Sequence, residues 1–407
     1  MNGQTPQQEV ARLAGRREVH AACEWFTAHA RELCEQQLEL TRIPAPPFGE
    51  ARRAEWMGAQ FAGLGLQDVH LDETGNVLGL LPGAGEGTKY VALTAHLDTV
   101  FPAGTPLDIR REGNRLLGPG ISDNGAGLTA LVAIAASMRA AAISHACPIL
   151  FVANVGEEGE GDLRGIRHLF GDRRWRETIA YTLVIDGGGA DTVIVGGLGS
   201  RRFLVTMHGP GGHSWTDFGA PNPIVVLARA IDLFARTPVP ADPKTAFNIG
   251  VISGGTSVNS IPEAAAMRVD LRSAAPAEID RLQQSLQEAL DRATGELKNM
   301  NFDARRFGGI TFEMQPIGER PAGQLSGSAR LRQVIQAVDD QLGIFSRAQC
   351  ASTDANVPLS LGLEAAAIGG GGAGGGAHTT NEWYDPANRE LGLRRILLTV
   401  LALAGVE

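Results

Sequence analysis

An α/β fold interrupted by a smaller α+β unit of ferredoxin-like order is the reading this sequence supports, and three observations carry it. Short, uninterrupted apolar runs recur with helical stretches between some of them, as strands buried on both faces of an α/β sheet require. Near Gly199 the texture changes, and strands and helices follow in the order β-α-β-β-α-β. An apolar run of the first kind returns at residues 364–370, so the second unit is read as an insertion. The predicted bounds are 1–198 and 320–407 for the larger domain and 199–319 for the inserted one. A chain of 407 residues has room for two or three domains of about 150 residues each.

Taken in order, Val19, Cys23, Phe26, Ala30, Cys34 and Leu38 recur at helical spacing, which predicts one N-terminal helix. Along such a helix Cys23 and Cys34 stand about 16 Å apart and cannot bridge. The four cysteines, with Cys147 and Cys350, form no Cys-x-x-Cys pair, and Cys23 and Cys34 read as buried structural thiols. IPAPPFGEARR breaks the pattern, and residues 51–64 resume a helical one. NVLGLLP (76–82), YVALTA (90–95), PILFVAN (148–154), TLVID (182–186) and EAAAIGG (364–370) then read as strands, with a helix over 127–142. In the insertion, RRFLVTMHG, IVVLARAIDLFAR, TAFNIGVISGG, AAMRVDLRS, IDRLQQSLQEALDRA and GITFEMQ supply the six elements. No internal repeat is present.

Composition removes several classes of function. Lys plus Arg is 36 against 45 for Asp plus Glu, a net charge of −9, which lacks the basic excess that nucleic-acid binding needs. The opening segment has charge but no apolar signal core, and no long apolar run follows, so a cytoplasmic protein without a membrane partner is expected. Glycine is abundant, at 52 residues, but concentrated locally. GGGGAGGG (369–376) invites reading as a phosphate cradle, yet neither Lys-Ser nor Lys-Thr follows it.

What stands just beyond each apolar strand is more informative. His96 and Asp98 follow the second run, Glu157 and Glu158 the third, Asp186 the fourth and His378 the fifth, while Asp123 sits in the glycine-rich GPGISDNGAG before a helix. Open α/β sheets bind ligands outside the carboxyl ends of their strands, so these side chains converge on one crevice. Singly, each has a plainer explanation: a core histidine, a solvated acidic loop, a turn aspartate. Together, two imidazoles and several carboxylates make a donor set for zinc, with cobalt or manganese as substitutes.

At these residues the chain resembles the co-catalytic dizinc peptidase and deacylase family that includes glutamate carboxypeptidase, succinyl-diaminopimelate desuccinylase, acetylornithine deacetylase, aminoacylase and bacterial di- and tripeptidases. The motifs are TAHLDTV (94–100), GISDNGAG (120–127), VANVGEEGEGDLRG (152–165), VIDGGG (184–189), GPGGHSW (209–215), SVNSIPEAA (257–265) and GGGAHTTNEW (374–383). The resemblance implies a zinc-peptidase-like catalytic domain with two Zn2+ per chain. Asp123 would bridge them, with His96 and Asp186 completing one site and Glu158 and His378 the other. It also implies a cis peptide between Asp123 and Asn124.

Glu157 is then the general base, facing the nucleophilic water while its neighbour ligates. Asp98, two residues from His96, is expected to accept the distal imidazole N–H and fix its tautomer. In the insertion, His213 reads on its own as an exposed loop histidine and Arg272 as a strand-end charge. The resemblance makes this unit a lid that forms a homodimer, with His213 reaching the partner's oxyanion and Asn259 and Arg272 holding substrate carbonyl and carboxylate groups. Asp at 186 accompanies aminopeptidase, dipeptidase and aminoacylase-like relatives, whereas Glu is found in many carboxypeptidases and desuccinylases. The implied substrate is therefore a small peptide, with an N-acyl amino acid deacylase or carboxypeptidase as the alternative. Asn-Gly after Asp123 departs from the Asp-Lys or Lys-Gly of many relatives.

Overall fold

The structure is a computed structural model that describes residues 4–85 and 87–406, so Met1–Gly3 of the segment read for a signal lies outside them. Its contacts divide the chain into two compact units, Met1–Gly197 with Gly323–Glu407, and Leu198–Ala322.

The first unit is built on a nine-stranded mixed sheet. At its centre Ile149–Asn154, Tyr90–His96, Ile179–Ile185 and Glu364–Ile368 run parallel and side by side. Their carboxyl ends therefore open on one edge. These strands read as unbroken apolar runs because helices cover both faces. On one face lie Gly125–Ala140 and Arg389–Ala404, buried nearly all round, and on the other Arg164–Gly171 packs through Ile166, Leu169 and Phe170. The glycine run at 369–376 serves this packing: a Cβ on Gly371, whose φ is +86°, would lie 2.3 Å from the carbonyl oxygen of Arg389, and one on Gly392 would lie 2.2 Å from Gly371 Cα. The run meets the start of the last helix backbone against backbone.

Three expectations need correction. The N-terminal helix is not continuous: Pro6–Ala14, Arg17–Ala28 and Ala30–Thr41 are separate, and the last two part at His29, whose Nδ1 bonds the carbonyl of Trp25 at 2.8 Å. Val19 and Phe26 enter the main core, whereas Cys34 and Leu38 pack with Ile121 and Tyr384 in a separate cluster. Nor are both helix thiols buried, since Cys34 is but Cys23 is only half-buried. Finally, Gln67–Leu71 and Arg347–Ala351 are strands that no apolar run announced, and both expose most of their residues to solvent, while Thr192–Gly197, with its apolar Val193, Ile194 and Val195, is a further strand beyond the five expected.

The second unit is a four-stranded antiparallel sheet in the order Thr245–Gly254, Ala264–Ser273, Gly199–His208, Thr311–Arg320. That is the ferredoxin-like order. Phe203, Val205 and Met207 alternate inward against Leu282, Leu286 and Leu290 of Pro276–Gly295 and Val226 and Leu227 of Pro223–Ala235. Among the described residues, no helix is long and apolar enough to cross a membrane.

One buried ion pair locks the first unit. Arg395 and Asp339, both essentially without solvent exposure, form a two-pronged bond, Nε to Oδ1 at 2.6 Å and Nη2 to Oδ2 at 2.7 Å. Replacing Arg395 with Ala leaves a carboxylate buried without its cation and should cost about 3–5 kcal/mol in a urea unfolding titration. Replacing both partners with Met and Leu should cost far less.

Candidate metal centre

The centre begins with His96, the last residue of its strand and almost wholly buried. Its Nε2 lies 3.1 Å from Asp123 Oδ1 and 3.6 Å from Asp186 Oδ1. The other oxygen of Asp123, Oδ2, lies 3.2 Å from Nε2 of His378, which is also 2.9 Å from Glu158 Oε1. Each oxygen of one carboxylate thus faces a different imidazole. His96, Asp123 and Asp186 place one donor atom each within 4.8 Å of one another, as do Asp123, Glu158 and His378, and also His96, Glu157 and Glu158. Two imidazole nitrogens with carboxylate oxygens form a donor set that suits zinc and neighbouring borderline dications.

The backbone is arranged to present these groups. Glu158 is extended, with φ −87° and ψ 146°, so Glu157 and Glu158 point apart along their loop. Gly156, at φ +66°, lets that loop fold back, since a Cβ there would lie 2.2 Å from Nη1 of Arg164. Asp98 acts on the same loop. Its carboxylate accepts the backbone N–H of Glu157 at 2.9 Å and of Glu158 at 2.8 Å. Asp98 also faces His96, whose Nδ1 bonds its backbone carbonyl at 3.0 Å and lies 3.6 Å from its carboxylate. Main chain and carboxylate of Asp98 thus both address Nδ1 of His96, while the carboxylate also clamps the acidic loop.

Two residues that sequence reasoning passed over hold Asp123. Glu382, fully buried, accepts N–H bonds from Gly120 at 2.8 Å and from Ser122 and Asp123 at 2.7 Å each. Asn124, also fully buried, caps the helix Gly125–Ala140 by accepting from Gly127 N at 3.0 Å. It also accepts from Gly187 N at 3.1 Å and donates to the carbonyl of Ile185 at 2.9 Å, which ties the Asp123 turn to the strand end bearing Asp186. An Asn before a helix start is a readable capping signal; the clamp by Glu382, distant in sequence, has none. The Asp123–Asn124 peptide is cis.

The remaining expected site residues belong to the second unit. His213 and Asn259 meet at one small two-stranded antiparallel ribbon, where Gly212 pairs with Ile261 and Ser214 N bonds the carbonyl of Asn259 at 3.0 Å. Nδ1 of His213 accepts from Trp215 N at 3.2 Å, so in the neutral ring the proton sits on Nε2. Arg272 is not brought to them. It lies at the other end of the strand Ala264–Ser273, opposite Ser200, with its Nε bonded to Asp270 at 2.6 Å.

The charges are strongly coupled. The carboxylates of Asp123 and Glu158 push His378 up to about 10 against partial burial. Burial alone would lower His96, but Asp123, Asp186 and Asp98 outweigh it and hold the ring well above its ordinary range. Asp123 is half-buried, and the same two imidazoles outweigh its partial desolvation and keep it well below the usual carboxylate range. A dication ligated by these nitrogens must displace their protons. Cation affinity should therefore strengthen as pH rises from 6 to 8, with proton release on binding. Calorimetric titration of the chelator-treated chain in buffers of different ionisation enthalpy measures both, and a pH-independent affinity would exclude the two histidines as ligands.

A profile of peptidase family M20/M25/M40 matches residues 92–402. A probable carboxypeptidase of Aspergillus clavatus is 33% identical over 206 residues, 46% of this chain and 44% of that one. The succinyl-diaminopimelate desuccinylase of Xanthomonas oryzae pv. oryzae is 27% identical over 248 residues, 57% of this chain and 65% of that one. Neither match reaches two thirds of the relative's own length. In fold, the aminopeptidase PepT from Bacillus cereus superposes with a TM-score of 0.75 at 21% identity, over 92% of this chain and 99% of that one. With the profile spanning every residue of the centre from His96 to His378, the chain belongs to peptidase family M20/M25/M40.

Proposed function

We propose that the chain is a dimetal hydrolase that cleaves the amide bond of a small peptide, as a di- or tripeptidase. The observation that carries this is Asp123, whose two oxygens address separate donor sets. In this reading Asp123 would serve two divalent ions, zinc first, with His96 and Asp186 available to hold one and Glu158 and His378 the other. Such a pair supplies polarisation of the scissile carbonyl and a water acidic enough to attack near neutral pH.

The chain's own groups do the rest. Glu157, buried beside His96 and Glu158, accepts the proton of the attacking water and returns it to the nitrogen of the leaving amine. Asp98 keeps Glu157 and Glu158 in register through their N–H groups. His213, with its proton on the exposed Nε2, is suited to donate to a developing oxyanion, and Asn259 and Arg272 to orient substrate carbonyl and carboxylate. We assign the second unit to a homodimer contact, supported by the exposed Trp215, Phe218 and Val258 on and beside the His213 ribbon and Val251 and Ile252 on the edge strand.

Asp rather than Glu at 186 favours a peptide with a free N-terminus. The names of the sequence relatives, a carboxypeptidase and a desuccinylase, favour the second reading, an N-acyl amino acid deacylase or carboxypeptidase. A peptide with a free amino group should be cleaved with kcat/KM roughly tenfold or more above its N-acetylated counterpart at saturating zinc, about 1.4 kcal/mol of transition-state preference. Equal or reversed preference selects the second reading. Glu157→Gln should retain both metals while turnover falls roughly 10²–10⁴-fold; Glu158→Gln should instead weaken one metal site, seen by metal analysis after dialysis.

A further inference from the structure

Behind His96, outside both donor sets, lies an acid that the proposed chemistry does not use. Asn154 ends the strand beside that of His96, and the two residues are in register. Its Nδ2 donates to Asp354 Oδ2 at 2.7 Å, and both residues are fully buried. Asp354 sits just before the short helix Asn356–Ser360, and its Oδ1 has no hydrogen-bond partner. The strongest charges acting on it are the imidazole of His96 and the carboxylates of Asp186 and Asp98. Burial lifts its carboxyl to about 7, opposed only in part by His96 and by the bond from Asn154.

Among the described residues, no Lys or Arg forms an ion pair with it. A sealed carboxylate with one hydrogen bond and two acids nearby is costly unless positive charge is brought to it. The donor set of His96, Asp123 and Asp186 is where a dication would bring that charge.

Building on the dimetal reading above, we infer that Asp354 is a charge-balancing, positioning residue for the His96–Asp186 cation site, a buried acid outside the ligand set that raises that site's affinity. Its field acts across a medium of low dielectric. Its bond to Asn154 also steadies the strand end whose carbonyl accepts Leu97 N–H at 2.7 Å, next to His96. The same acid is a burden to the metal-free fold.

The test uses the full chain, stripped with a chelator and titrated with Co2+, whose visible absorption reports coordination. The wild-type chain should take two ions. Asp354→Asn preserves shape and can keep the bond from Asn154, yet one of the two ions should bind at least about tenfold more weakly. The metal-free variant should melt at or above the wild-type temperature, because an uncompensated acid has been removed. A purely structural role would do the reverse, lowering the metal-free melting temperature and sparing affinity. Unchanged cobalt affinity overturns the inference, as does a metal-free variant that melts lower or fails to fold. A wild-type chain that binds no cobalt would overturn the dimetal reading itself.

Discussion

The centre depends on the two oxygens of the Asp123 carboxylate being turned toward different imidazoles. A carboxylate on a free loop would not hold that orientation, because rotation about its own bonds carries the oxygens away from any fixed pair of partners. Here the turn is pinned from two sides. Glu382 gathers three N–H groups of the loop, those of Gly120, Ser122 and Asp123, and Asn124 joins the following helix to the end of the neighbouring strand. Both clamps are sealed from water, where hydrogen bonds are electrostatically stronger and unpaired groups most costly.

This arrangement explains which parts of the site were legible in the sequence. Residues at the carboxyl ends of parallel strands were legible because the strands are apolar and the topology sends their ends to one edge, so His96, Glu158, Asp186 and His378 could be gathered without coordinates. The supports were not. Glu382 acts through main-chain N–H groups more than 250 residues away in sequence. Asp98 was legible as a neighbour of His96, but sequence distance could not reveal that its carboxylate also accepts the N–H groups of Glu157 and Glu158.

The fold shows the same division. Strands buried on both faces announced themselves, and so did the order of elements in the second unit. Gln67–Leu71 and Arg347–Ala351 did not, since edge strands with solvent on several sides need no apolar run. Helical periodicity in the N-terminal segment was real but blind to direction. The break at His29 keeps the spacing of apolar residues while sending successive stretches into different clusters.

The points where the chain leaves and re-enters the first unit, Gly197 and Gly323, are register partners on adjacent antiparallel strands. To the larger sheet, everything from Leu198 to Ala322 is therefore equivalent to the turn of a hairpin. Since closure entropy grows only with the logarithm of loop length, a self-folding excursion there burdens the host little more than a short one. The whole excursion can thus be exchanged or remodelled as a cassette while the strands that carry the centre keep their register.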